Sequence, residues 1–69
     1  MNEAVRQLPF KIEQWDDTGT EIRSVLALTC THRLAVSAYE AAVRLYPGEV
    51  VTLRQGTQVL AKAPSLPQL

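Results

Sequence analysis

The most regular pattern of apolar and polar positions lies between Thr31 and Gly48. At 100° per residue, its polar side chains Arg33, Ser37, Glu40 and Arg44 gather on one side, which is the signature of an amphipathic helix. The opposite, apolar arc contains Leu34, Ala35, Ala38, Tyr39, Ala42, Leu45 and Tyr46. We therefore predict a helix that packs its alanine-centred face against another layer of the fold.

Residues that favour a helix boundary occur at both ends of this segment. The hydroxyl of Thr29 or Thr31 can accept a hydrogen bond from a free N–H of the first turn. Pro47-Gly48 ends the helix, because proline cannot continue it and glycine frees the turn that follows.

The segment before the helix alternates with the period of a strand. Phe10 to Trp15 places Phe10 and Ile12 on one face, and Asp16 to Gly19 has the composition of a hairpin turn. The returning strand, Thr20 to Thr29, is expected to direct Ile22, Leu26 and Leu28 to the core and Val25 and Ala27 to the other face.

A second hairpin is predicted after the helix. Glu49 to Arg54 favours a strand, and Gln55-Gly56 is a plausible two-residue turn into Thr57 to Ala63, which would pair Val51 with Leu60. The sequence thus predicts an α+β fold, a small ββαββ domain over residues 9–63 in which one helix packs on one face of an antiparallel sheet. We expect residues 1–8 to be a flexible N-terminal segment and 64–69 a disordered tail.

Apolar residues left over from this fold predict an interface. They are Trp15, Val25, Ala27, Val50 and Val59 on the uncovered sheet face, and Val36 and Val43 at the edge of the helix arc. Contiguous apolar patches usually mark contact sites, so we expect a homodimer or a protein partner. The alternatives are that the N-terminal segment covers this face or that the residues are scattered surface positions.

Composition narrows the classes of function. A chain of 69 residues can bury only a small hydrophobic core. The positive charges of its 7 Lys and Arg balance the negative charges of its 7 Asp and Glu. Its single Cys excludes an internal disulfide. No apolar run reaches the ~18 residues of a membrane span, and no signal peptide is visible, so we expect a cytoplasmic protein without membrane contact.

Candidate chemistry is sparse. Cys30-Thr31-His32, at a helix N-terminus, is the best candidate for a reactive thiol, but a buried structural cysteine is the favoured interpretation. A turn, rather than a cation site, is the favoured interpretation of Asp16, Asp17 and Glu21. We expect no catalytic residue, no metal and no cofactor, and thus no enzyme.

The leading function is accordingly a self-associating interaction or structural module. The alternative is a small nucleic-acid-binding domain, in which Arg23 and Arg54 flank Trp15 on the open sheet face. Neutral total charge makes nucleic acid the less favoured partner.

Three stretches resemble a group of short, uncharacterised bacterial proteins. They are Trp15 to Gly19 (WDDTG), Tyr39 to Ala42 (YEAA) and Tyr46 to Gly56 (YPGEVVTLRQG). The resemblance covers roughly Pro9 to Lys62 and implies a stand-alone cytoplasmic domain. It implies no activity, so no functional residue follows from it.

Overall fold

The computed structural model describes residues 7–64 and contains two β-hairpins separated by one α-helix. The first hairpin comprises β1 (Phe10–Trp15) and β2 (Ile22–Thr29), the helix α1 spans His32–Leu45, and the second hairpin comprises β3 (Val51–Gln55) and β4 (Gln58–Ala63). The predicted α+β class and ββαββ order are confirmed. The predictions for 1–8 and 64–69 fall mostly outside the described residues.

The four strands form one antiparallel sheet in the order β2-β1-β3-β4. Because β2 and β3 are both antiparallel to β1, they run parallel to each other on its two sides. The helix between them is therefore a crossover that passes over β1, and it contacts β1, β2 and β3. The first strand of the chain thus occupies an interior position in the sheet.

The core lies between α1 and this sheet. Ala35 and Ala42 are the buried residues of the helix, at 0% and 6% exposure, and their small side chains let the helix axis approach the strands closely. The buried strand residues beneath them are Phe10, Ile12, Val51 and Leu53. Helix and sheet therefore meet along the alanine-centred arc that the sequence predicts.

The helix begins and ends next to the predicted boundary residues. Thr31 is the N-cap, and its hydroxyl accepts a hydrogen bond from the Leu34 backbone N–H at 3.3 Å. At the other end the N–H of Tyr46 donates to the carbonyl of Ala42 at 2.9 Å. Of the two threonines proposed as caps, Thr31 is the one that acts.

Strand β2 departs from the regular alternation expected of it. The pairing of β1 with β2 shifts twice, which leaves Leu26 and Arg23 as extra residues opposite β1. Each extra residue exchanges the two faces for the part of the strand beyond it. Ala27 consequently pairs with the buried Ile12 and packs against the core, so its predicted place on the uncovered face is wrong. Leu28 pairs with Lys11 on the face where Ala27 was expected.

The second hairpin turns later than expected. Gln55 pairs with Gln58, so the two turn residues are Gly56 and Thr57. A register shift beyond the turn leaves Leu60 as an extra residue, and Val51 pairs with Ala63 rather than with Leu60. Gly56 has φ +59° and no residue other than glycine has positive φ in the described chain. Glycine at the first central position is typical of a type II′ turn, which suits the twist of the strands.

Candidate interaction surface

The sheet face opposite α1, here called the far face, is centred on an ion pair. Arg54 of β3 donates from Nε and Nη2 to the two carboxylate oxygens of Glu13 at 2.5 and 2.8 Å. Glu13 is only 1% exposed. The hydrogen bonds to the carboxylate raise the pKa of Arg54 above its ordinary value. The charge of this arginine is therefore satisfied within the chain.

A second polar contact anchors the aromatic ring of the far face. The indole N–H of Trp15 donates to the hydroxyl of Thr52 at 2.8 Å, and Thr52 is 4% exposed. The Trp15 backbone N–H donates to the carbonyl of Val50, also at 2.8 Å. Trp15 and Val50 are both half-buried, which leaves neither as a freely projecting contact residue.

The apolar residues that remain exposed on the far face lie on its two edge strands. Ile22 of β2, which the sequence pattern assigns to the core, is 41% exposed on this face. Val25 and Val59 are 53% and 51% exposed. They lie on β2 and β4, the two edges of the sheet, and pair with Glu13 and Arg54 respectively. The ion pair thus separates the two valines.

The surplus apolar surface of the helix lies on the opposite edge from the one predicted. Val36 and Val43 are half-buried and pack against the core, so the expectation that they project beyond it is wrong. Leu34 and Leu45, assigned to the core by the sequence pattern, are instead 56% and 74% exposed. The reason is topological: this edge of α1 meets β2, an edge strand, and no further strand lies beyond it.

An open apolar groove follows this exposed edge of the helix. It has a volume of about 270 Å³ and lies between β2 and α1. Its lining residues are Leu26, Ala27, Ala38, Ala41, Ala42, Leu45 and Tyr46. A groove of about 400 Å³ on the other flank of α1 includes the charged residues Glu40 and Arg44. Among these two grooves, the one on the β2 side is lined by no charged side chain.

The side chains of the Cys30–His32 segment have separate placements at the start of α1. Cys30 is exposed, which corrects the prediction that it is buried. The ring of His32 packs edge-on against Phe10, with 5.9 Å between ring centroids, and Thr31 caps the helix. Within residues 7–64 no group of three or more His, Cys, Asp or Glu side chains could hold a metal ion.

The carboxylate of Asp16 serves the first hairpin turn. It accepts hydrogen bonds from the Thr20 backbone N–H at 2.9 Å and from the hydroxyls of Thr18 and Thr20. These bonds, above all the one from the Thr20 N–H, lower the pKa of Asp16 to about 2. Gly19 supplies the positive φ of 72° that the turn requires.

The two arginines considered for nucleic-acid binding both face carboxylates. Arg54 binds Glu13, and Nη1 of Arg23 lies 3.9 Å from Oε1 of Glu49. That same oxygen accepts a hydrogen bond from the Gln14 side chain at 2.8 Å. Both arginines therefore lie beside carboxylates of the same chain. That they flank Trp15 in a nucleic-acid-binding face stays a prediction.

Comparison with known proteins found no match: no family model, no curated protein and no solved structure matches the chain. None of the helical structure between residues 7 and 64 is long and apolar enough to cross a bilayer.

Proposed function

We propose that this protein is a non-catalytic interaction module that functions as a homodimer. The observation that carries the proposal is the exposed apolar edge of α1, where Leu34 and Leu45 are both exposed and Leu45 lines an apolar groove. Removing two such leucines from water stabilises an association by roughly 1.5–3 kcal/mol for each fully buried side chain.

The small size of the core supports the same proposal. In the described chain the core cluster of buried apolar residues comprises Phe10, Ile12, Ala35, Ala42, Val51 and Leu53, two of which are alanines. Small domains commonly add a disulfide, a metal or a partner to reach useful stability. The single Cys cannot form an internal disulfide, so a partner is the remaining addition that these residues favour.

We place the module in the cytoplasm, because its lone cysteine is exposed and reducing compartments keep such thiols free. Its partner class is protein rather than nucleic acid, since Arg23 and Arg54 face carboxylates.

Light scattering of the eluting protein from micromolar to near-millimolar concentration tests the proposal. We expect the weight-average mass to rise from the 7.7 kDa of one chain toward twice that value. A mass that stays at one chain throughout the series contradicts self-association.

A further inference from the structure

We propose that the homodimer forms by antiparallel packing of α1 against α1 of a second copy, along an exposed seam of the helix. This inference rests on the self-association proposed above and names the surface that produces it. The seam, here called the leucine edge, consists of Leu34, Ala38, Ala41 and Leu45.

The spacing of the leucine edge is that of a helix–helix seam. Its members follow one another at intervals of four, three and four residues, the a/d spacing at which two helices interdigitate. A second seam with the same spacing, Ala35, Tyr39, Ala42 and Tyr46, faces the sheet of the same chain and packs against its core. One helix thus carries two adjacent seams. The leucine edge is the more exposed of the two: Leu34 and Leu45 are 56% and 74% exposed, and Ala38 is half-buried against the core of its own chain.

The leucine edge is complementary to itself. Read in either direction it gives Leu, Ala, Ala, Leu at the same intervals. A twofold axis between residues 39 and 40 would therefore place Leu34 opposite Leu45 of the second copy, and Ala38 opposite Ala41. Alanines at the centre allow an interaxial distance near the short end of the usual 8–10 Å, while the leucines fill the space at both ends.

The helix dipole favours the same arrangement. Ser37 and Arg44 border the leucine edge, and the antiparallel pairing brings Arg44 of the other copy level with Ala35, between Arg33 and Ser37. The first turn of α1 has no acidic residue and contains Arg33. The positive charge of Arg33 is unfavourable there, because it lies near the positive end of the helix dipole. In the antiparallel pair Arg33 lies level with the negative C-terminal end of the partner helix.

The size of the seam sets the strength of the dimer. A helix of 14 residues is about 21 Å long, and a single helix–helix contact of that length buries less than the ~1,200 Å² at which standard interfaces begin. We therefore expect a dimer with a dissociation constant in the micromolar range, formed and broken as concentration changes.

Two matched substitutions test the surface. Leu45→Glu alters the most exposed leucine of the seam, and Val25→Asp alters an apolar residue on the far face that is 53% exposed. We expect Leu45→Glu to raise the dissociation constant by roughly a hundredfold or more, because each dimer loses two leucine contacts. Val25→Asp should leave it within about threefold of the wild-type value. Circular dichroism checks that both variants stay folded.

Cross-linking tests the orientation without disrupting the seam. In a Cys30→Ser background, chains with Ala38→Cys and chains with Ala41→Cys are oxidised separately and as an equimolar mixture. Disulfides require Cα atoms within about 7 Å, so the antiparallel dimer predicts a several-fold higher yield in the mixture. Higher yields from either variant alone indicate a parallel pair and overturn the inference.

The outcomes separate this inference from the proposed function. If wild-type protein dimerises and Leu45→Glu does not weaken the dimer, or Val25→Asp weakens it equally, the leucine edge is not the interface although self-association stands. If wild-type protein stays monomeric at all concentrations, both proposals fail.

Discussion

At the scale of single residues, the main polar contact of the far face is the ion pair between Glu13 and Arg54. A carboxylate that is 1% exposed is tolerated because two N–H groups of one guanidinium bind it. Removal of one partner leaves a buried charge without compensation, which costs far more than the pair contributes.

We therefore predict that Arg54→Ala lowers the free energy of unfolding by about 3 kcal/mol. Urea unfolding followed by the fluorescence of Trp15 measures the change. The control is Lys62→Ala on the exposed edge strand β4, which should change stability by less than about 0.5 kcal/mol. The double variant Glu13→Leu, Arg54→Met should recover most of the loss, since apolar replacements of buried pairs are often neutral. A loss from Arg54→Ala no larger than the control's would show that the pair is not buried in solution.

The lowered pKa of Asp16 predicts how the free energy of unfolding changes at acidic pH. Its pKa is about 2 in the folded chain and 3.8 for an ordinary aspartate, so between these values the unfolded chain binds more protons. Its contribution is therefore complete above about pH 4 and is lost as the pH falls through 2. We expect Asp16→Asn to flatten this part of the curve of urea midpoint against pH. An unchanged slope in the variant would contradict the hydrogen bonds assigned to the turn.

Single residues were also where sequence reasoning was least complete. Glu13 alternates with Phe10 and Ile12 as a solvent-facing residue would, and nothing near it in the sequence suggests burial. Its partner lies 41 positions away, and the two meet only because β3 inserts beside β1. Strand order is a property of the whole fold, so local alternation could not predict this contact.

At the scale of elements, the sequence predicted most of what the structure contains. The helix, its cap at Thr31 and both hairpins follow from local chemistry, because capping hydroxyls, positive-φ glycines and apolar periodicity act within a few residues. The errors lie in β2, where the bulged residues Arg23 and Leu26 shift the faces, and in the second hairpin, which turns later than predicted. A bulge depends on the neighbouring strand, so strict alternation cannot reveal it.

The N-cap offers a test at this scale. We predict that Thr31→Ala destabilises the protein by about 1 kcal/mol, because the Leu34 N–H loses its acceptor. Thr31→Ser keeps the hydroxyl and should stay within about 0.5 kcal/mol of wild type. The comparison uses urea midpoints measured in parallel. Equal losses in the two variants would indicate that the cap hydrogen bond does not contribute.

At the scale of the whole molecule, topology decides which apolar residues remain exposed. The helical arc was predicted correctly in its centre, at Ala35 and Ala42, and wrongly at its margins. Whether a margin is covered depends on how many strands lie beneath it, and β2 is the last strand on the side of Leu34 and Leu45. The candidate surface could not be located before the strand order was known.

The far face illustrates the same dependence. Its residues Val25 and Val59 are exposed as expected, but two strands and an ion pair lie between them. The leucine edge, in contrast, is continuous along one helix. For that reason we assign self-association to α1 and not to the open face of the sheet.

The most direct test of this assignment is the change in backbone amide chemical shifts of isotopically labelled wild-type protein on dilution. We expect concentration-dependent shifts that cluster along α1 at Leu34, Ala38, Ala41 and Leu45 and leave the far-face residue Val59 unchanged. Spectra that do not change across the dimerisation range, or changes centred on the far face, would contradict the assignment.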